Sequence, residues 1–336
     1  MRSEHWSGIG FSLMLTHRMV STRSIVKLIV IGLLILSGLS ACKTGPISSS
    51  VNPLSKAAET LQQEDSDPTA VMEGTPTPQP TLAPSDTPEP TLQPTEAKVE
   101  MITITIVFDN YPYKKGLKTA WGFSAFVTYK DQNVLFDTGI SGSILLENMS
   151  KMNIDPIEVQ NVVLSHEHND HIAGLPALLS AGADPKIYLP PSFSPYLKNQ
   201  YRKQAEVIEV VPGHPIAERI SSLGEIQGPP AEQALVIDTP QGLVVIIGCA
   251  HPGVEKMVLA AKRQFHEQIY LVMGGFHLGN ASSNEVKKII NEFKRIGVVY
   301  VAPCHCTGDQ AINQFKEAFG DNFISVGVGA VIEIEG

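Results

Sequence analysis

From Met101 onward the apolar positions fall into short runs. Residues 101–108 (MITITIVF) and 123–130 (FSAFVTYK) alternate or run apolar with β-branched side chains, the pattern of strands. The runs 133–137, 161–165, 234–239, 243–248 and 268–274 have the length and unbroken apolarity of buried strands, and 298–303 and 323–329 close the chain in the same way. Between the later runs the spacing shifts to the helical period, over 172–182, 254–265 and 282–297; Ser283 with Glu285 supplies a start for the last. Strands come first as hairpins and then alternate with helices. That order predicts one α/β domain over residues 99–336, two sheets with helices packed outside.

Ahead of this domain the pattern is different. Arg18, Arg23 and Lys27 precede an uncharged run from Leu28 to Ala41. Fourteen residues of helix span about 21 Å, short of the ~30 Å hydrocarbon core, so residues 1–41 read as a secretory leader rather than a membrane span. Residues 1–18 are long and mixed for the basic part of a leader, which makes Met19 a candidate start. The run ends Leu39-Ser40-Ala41-Cys42, which resembles the lipobox of bacterial lipoproteins and implies lipidation of Cys42 and an exported, membrane-anchored chain. Residues 42–98 then read as a disordered tether. Seven prolines lie between Pro76 and Pro94, and from Lys43 to Lys98 three basic residues face eight acidic ones. Proline removes backbone donors and favours extended conformations, so this stretch cannot build a core.

Composition narrows the classes. Over the 336 residues the hydrophobic share is 43%, enough for a sizeable core, and the net charge is −9. A nucleic-acid binder needs a basic face to displace counterions, so nucleic acid is not the expected partner. Four cysteines cannot form a disulfide framework for a chain of this length. Lys114, Lys115 and Lys118, near Tyr111 and Tyr113, read as a solvated loop rather than a phosphate clamp.

One segment carries the chemistry: Ser165-His166-Glu167-His168-Asn169-Asp170-His171. It follows an apolar strand and precedes an apolar helix, so it is the loop at a strand's carboxyl end. His166 and His168, two apart on extended backbone, face one side and can share a metal ion. Asp170 and His171 begin the helix, where the turn redirects them toward a second cation. Imidazole with carboxylate suits zinc, iron or manganese rather than calcium.

This H-x-H-x-D-H pattern resembles the metallo-β-lactamase superfamily. The resemblance covers residues 101–336 and implies an αββα four-layer sandwich with a one- or two-metal site between the sheet edges. It assigns His166, His168 and His251 to one divalent ion and Asp170, His171 and His305 to another, most simply zinc, with manganese or iron as alternatives. It makes Asp137, in Asp137-Thr138-Gly139, a buried brace for the metal loop. The same triplet occurs in aspartic proteases, but no second copy exists here to complete such a pair. One departure stands out. Where the superfamily places a bridging aspartate, this chain reads Met273-Gly274-Gly275-Phe276-His277, which leaves either His277 to line the site, the favoured reading, or the ions to be bridged only by hydroxide or substrate, and predicts weak binding of one ion. Cys249, Cys304 and Cys306 flank the assigned ligands. A disulfide within this trio, or a thiolate in place of the missing acid, is chemically open.

The segments SHEHNDHIAGL, GCAHPGV and GGFHL, with Asp109-Asn110 and LFDTG, further resemble the 7,8-dihydropterin-6-methyl-4-(β-D-ribofuranosyl)-aminobenzene-5′-phosphate synthase-like subgroup. The expected activity is that of a metal-dependent hydrolase. Its ions would generate hydroxide at neutral pH to attack an ester, lactone or phosphodiester of a small molecule, with a pterin or ribose phosphate as the implied substrate type. Asp170 would accept the proton and His277 would stabilise the oxyanion. The alternative is a lipoprotein that binds a ligand through its metals without turnover. A nuclease is disfavoured by the acidic domain.

Overall fold

A computed structural model describes residues 100–336. The expected leader, Cys42 and the tether lie outside the described residues. The first sheet takes β1 (Met101–Phe108), β2 (Ser124–Tyr129), β3 (Gln132–Phe136), β4 (Asn161–Val163), β5 (Lys186–Leu189) and β6 (Val207–Glu209). The second takes β7 (Pro215–Ala217), β8 (Ile220–Ser222), β9 (Ala234–Thr239), β10 (Gly242–Ile247), β11 (Ile269–Gly275) and β12 (Tyr300–Cys304). The chain ends on β13 (Val331–Glu335), which returns to the first sheet and pairs antiparallel with β1. The orders are β13-β1-β2-β3-β4-β5-β6 and β12-β11-β10-β9-β8-β7.

The apolar runs are explained by burial on both faces. In β10, Val244 and Ile246 enter the core between the sheets, while Leu243, Val245 and Ile247 face the outer helices. A strand covered on both sides has no reason to alternate, and its sequence reads as continuous apolarity. β1 sends Ile102, Ile104 and Ile106 into the same central core. Outside the second sheet lie α5 (Val254–Phe265), α6 (Ser283–Ile296) and α7 (Asp309–Phe319); outside the first lie α1 (Gly142–Lys151), α3 (Leu175–Ser180) and α4 (Pro195–Tyr201), with the one-turn α2 (Asn169–Ile172) before α3. The layers are therefore helix, sheet, sheet, helix, as expected.

Three local expectations change. Residues 323–329 form no strand: Gly327 and Gly329 interrupt the run, leaving isolated bridges from Phe323 to Val301 and from Val328 to Pro112. The closing strand is β13. The helix over 172–182 is broken at Ala173–Gly174 and begins earlier, at Asn169. α6 begins at Ser283, but the cap is one residue earlier: Ser282 is the N-cap and makes a reciprocal capping box with Glu285.

Candidate metal centre

β3, β4 and β5 run parallel in one sheet, and β10, β11 and β12 run parallel in the other. Their carboxyl ends bring Asp137, the 165–171 loop, the 248–251 loop, His277 and His305 to one edge of the sandwich. Among the described residues eight non-glycine residues have positive φ, and four of them, Asp137, Ala250, His277 and His305, stand at this edge. Left-handed backbone is costly for such residues and persists where the surroundings enforce it.

Asp137 organises the first loop. Its Oδ1 accepts from the Ser165 backbone N–H at 2.7 Å, and its Oδ2 accepts from the Ser165 hydroxyl and from His171 Nδ1, each at 2.7 Å. Because the Ser165 hydroxyl gives its proton to the carboxylate, its oxygen is left to accept from His166 Nδ1, 2.9 Å away. One buried carboxylate thus holds a proton on the Nδ1 of both His166 and His171 and turns both Nε2 atoms toward the site. Gly248 is part of this arrangement, since a Cβ there would stand 2.3 Å from Ser165 Oγ and 2.9 Å from Asp137 Oδ2.

The second loop is held by a residue the sequence does not advertise. Glu232 is fully buried; it accepts from the backbone N–H groups of Cys249, Ala250 and His251 at 2.8, 3.0 and 2.9 Å. Burial pushes its carboxyl up to about 7, against the pull of those three donors. His305 is oriented from elsewhere again: its Nδ1 lies 2.9 Å from Asn110 Oδ1, which can only accept, so Nε2 faces the site.

Two ligand groups result. Asp170 Oδ2 lies 3.6 Å from His171 Nε2 and 3.5 Å from His305 Nε2. His166 Nε2 lies 3.1 Å from His168 Nδ1, and the rings of His166 and His168 both stand 4.7 Å from that of His251. Donors about 2.0–2.2 Å from a tetrahedral ion are separated by about 3.4 Å, so these spacings suit a divalent cation. Two further observations agree. His251 Nε2 and His305 Nε2 are buried without a hydrogen-bond partner. Every ion pair made by Asp137, Asp170 and Glu232 among the described residues is with a histidine, so the buried negative charge has no lysine or arginine to balance it. The donor set therefore fits the metals that the sequence resemblance implies.

Protonation states follow from the same surroundings. Burial, helped by the neighbouring imidazoles, holds His166 well below its ordinary value, and burial with His277 holds His251 down to about 4. Both rings are neutral at pH 7, as ligands must be. Burial also opposes a charge on His171, but the charge and hydrogen bond of Asp137 outweigh it and lift the ring to about 9, so binding a cation there must release the Nε2 proton. For Asp170 burial is likewise overcome, by His305, whose Nε2 lies 3.5 Å away, and by the charge of His171, and the carboxylate stays ionised.

All six assigned histidine and aspartate ligands, and the brace Asp137, meet at this one edge. His168 is exposed at the mouth, whereas His166, His171 and His305 are buried. His277 is also at the mouth, its ring 4.3 Å from that of His251 and its backbone N–H donating to Cys306 Sγ at 3.3 Å. The three cysteines are free thiols, so the disulfide left open by the sequence is not formed. Cys304 turns away toward Asp109, while Cys249 and Cys306 face the histidines. Sequence reasoning missed Glu232, the orienting role of Asn110, and Trp121, whose exposed ring stands 4.8 Å from that of His305. Lys118 pairs with Glu147 at 2.6 Å, as a solvated loop would.

The metallo-β-lactamase superfamily model matches residues 122–254, the stretch holding the first loop, Glu232 and His251. The chain is 27% identical over a 293-residue alignment, covering 70% of this chain and 98% of the relative, to a 7,8-dihydropterin-6-methyl-4-(β-D-ribofuranosyl)-aminobenzene-5′-phosphate synthase of Methanocaldococcus jannaschii. A solved metal-dependent hydrolase of the β-lactamase superfamily aligns with a TM-score of 0.60 and 29% identity, over 70% of this chain and all of that one. YhfI of Bacillus subtilis, a metallo-β-lactamase fold protein, aligns with a TM-score of 0.54 and 17% identity, over 69% of this chain and 99% of its own. Residues 100–336 thus have the metallo-β-lactamase fold, which implies divalent metal binding, and their histidine, aspartate and cysteine groups meet at one edge of the sandwich.

Proposed function

We propose that this chain is a binuclear metal-dependent hydrolase of a small ester, lactone or phosphodiester. The observation that carries the proposal is the pairing of two converging ligand groups, Asp170/His171/His305 and His166/His168/His251, with two orphaned imidazole nitrogens aimed between them. Zinc, or manganese or iron in its place, would supply Lewis acidity toward the substrate oxygen and toward water when bound by these residues.

The chain's own groups do the rest. Asp137 and Asn110 keep protons on the Nδ1 atoms of His166, His171 and His305, so their Nε2 lone pairs face the reacting centre. Asp170 is ionised and accepts the proton that water gives up at its carboxylate oxygen. His277 is raised, first by its hydrogen bond to Cys306, and donates to oxygen as negative charge develops there. The exposed Trp121 ring beside His305 offers a face for a planar heterocycle. Together with the pterin and ribose phosphate in the relative's name, this favours a phosphate ester or phosphodiester carrying such a ring.

The test is turnover of the zinc- or manganese-loaded full chain on a panel of aryl esters, lactones and aryl phosphodiesters. Asp170→Ala is expected to lower kcat by at least about a hundredfold with folding intact, and His166→Ala to abolish it. Absence of turnover at full metal occupancy would favour the ligand-binding alternative instead. Hydrolysis that survives both substitutions after metal removal would end the account. We also propose that Cys42 anchors the chain by lipid after export; palmitate labelling abolished by Cys42→Ser tests it.

A further inference from the structure

Two ligand groups this close need something between them, and β11 cannot provide it. A Cβ at Gly275 would stand 2.2 Å from Gly248 O and 2.7 Å from Cys306 Sγ, so no side chain can enter the site from the end of that strand. What occupies the space is sulfur. Cys249 is 3% exposed and a free thiol, and its Sγ lies 3.2 Å from His171 Nε2. That Sγ also lies within 4.8 Å of the donor atoms of Asp170, His171 and His305, and within 4.8 Å of those of His166 and His251. It belongs to both groups. His305, 1% exposed, aims its Nε2, which makes no hydrogen bond and lies 3.5 Å from Asp170 Oδ2, into the same space.

We propose that Cys249 is a ligand shared by the two ions, its Sγ bridging the Asp170/His171/His305 group and the His166/His251 group. The inference rests on the binuclear reading above and deepens it. Thiolate is a good ligand for zinc, and a sulfur atom has lone pairs for two bonds. On metal binding the S–H bond breaks, the proton passes to solvent, and two sulfur lone pairs form the two bonds to the ions; no electron changes hands. Glu232 matters here because it fixes the Cys249 backbone N–H at 2.8 Å, so the thiol is presented from a loop that cannot swing. Cys306 is a different case. Its Sγ groups with Cys249 and His277 but with none of the aspartate or histidine ligands of the two sets, and it accepts the His277 N–H. It backs the bridge without joining it.

The experiment needs no substrate. The full chain loaded with cobalt(II) is expected to hold two ions and to show a near-ultraviolet sulfur-to-cobalt charge-transfer band. Cys249→Ser is expected to lose the band and retain one ion at stoichiometric metal. Cys249→Asp should recover the second ion without the band, and Cys306→Ser should keep both. Retention of the band in Cys249→Ser, or its loss in Cys306→Ser alone, would overturn the assignment. Should Cys249→Ser fail to fold, X-ray absorption on the zinc-loaded wild-type chain decides the matter. A bridge gives an average of one sulfur per zinc at about 2.3 Å. An average sulfur coordination of one half per zinc, as from a sulfur bound to one ion alone, or of zero, contradicts it. Two ions, a sulfur bridge and no turnover would defeat the hydrolase reading alone; turnover with no sulfur in either sphere would defeat only this inference.

Discussion

The two loops that supply the histidines are held by two buried carboxylates in different ways. Asp137 works largely through side chains: besides one backbone N–H, it binds the Ser165 hydroxyl and the His171 ring, and through Ser165 it reaches His166. Glu232 accepts three backbone N–H groups and fixes the path of the 248–251 loop. The first brace sets which imidazole nitrogen carries the proton. The second sets where the Cys249 and His251 side chains start. Damage to Asp137 should therefore disturb ring tautomers, and damage to Glu232 should disturb the placement of the thiol.

The largest effect is expected from Asp137→Ala. It strands three buried donors, each costing about 1–3 kcal/mol, and should destabilise the domain by about 3–5 kcal/mol in a urea titration. Metal affinity, read by competition with a chromophoric chelator, should fall by about 10–100-fold as His166 and His171 lose their fixed tautomers. Glu232→Gln should cost less, about 1–3 kcal/mol, because one oxygen remains to accept while the amide group faces an N–H. Its signature should be loss of the cobalt–sulfur band together with one of the two ions, as in Cys249→Ser. Equal damage from both substitutions to metal affinity and band would erase the distinction.

How much of this was legible depends on distance along the chain. The 166–171 ligands sit within six residues, and their alternation on extended backbone followed by a helical turn can be read directly. Asp137 was reached through the resemblance, which places a bracing aspartate at the end of an apolar strand. Glu232 was not: it lies in a turn-rich connection, and its role depends on backbone amides 17 to 19 residues later, which carry no residue-type signal. The unpredicted helices have similar causes. In α1 the buried stripe is Leu145, Asn148 and Met149, and a buried asparagine that donates to Val107 O and Lys118 O breaks the apolar period. In α7 only Ala311 and Phe315 are buried. β13 has Ile334 as its one buried residue, so its alternation is too short to compete with the apolar run at 323–329.

Smaller effects sharpen the comparison. Asn110→Ala removes the acceptor that orients His305 without touching either carboxylate, and should weaken metal binding by about tenfold while moving stability by no more than about 1 kcal/mol. Asp109 gives a pH signature. Burial raises its carboxyl to about 6, above its unfolded value. Its protonated form therefore contributes stability that is full below the ordinary carboxylate range and is lost as pH rises through about 6. Asp109→Asn should flatten the fall in Tm between about pH 4 and 6, checked by thermal melts across that range.

The most direct test of the central claim is anomalous X-ray diffraction from crystals of the zinc-loaded chain. Two peaks are expected, one coordinated by Asp170, His171 and His305 and the other by His166, His168 and His251. Full zinc occupancy with peaks anywhere else on the chain would contradict the account.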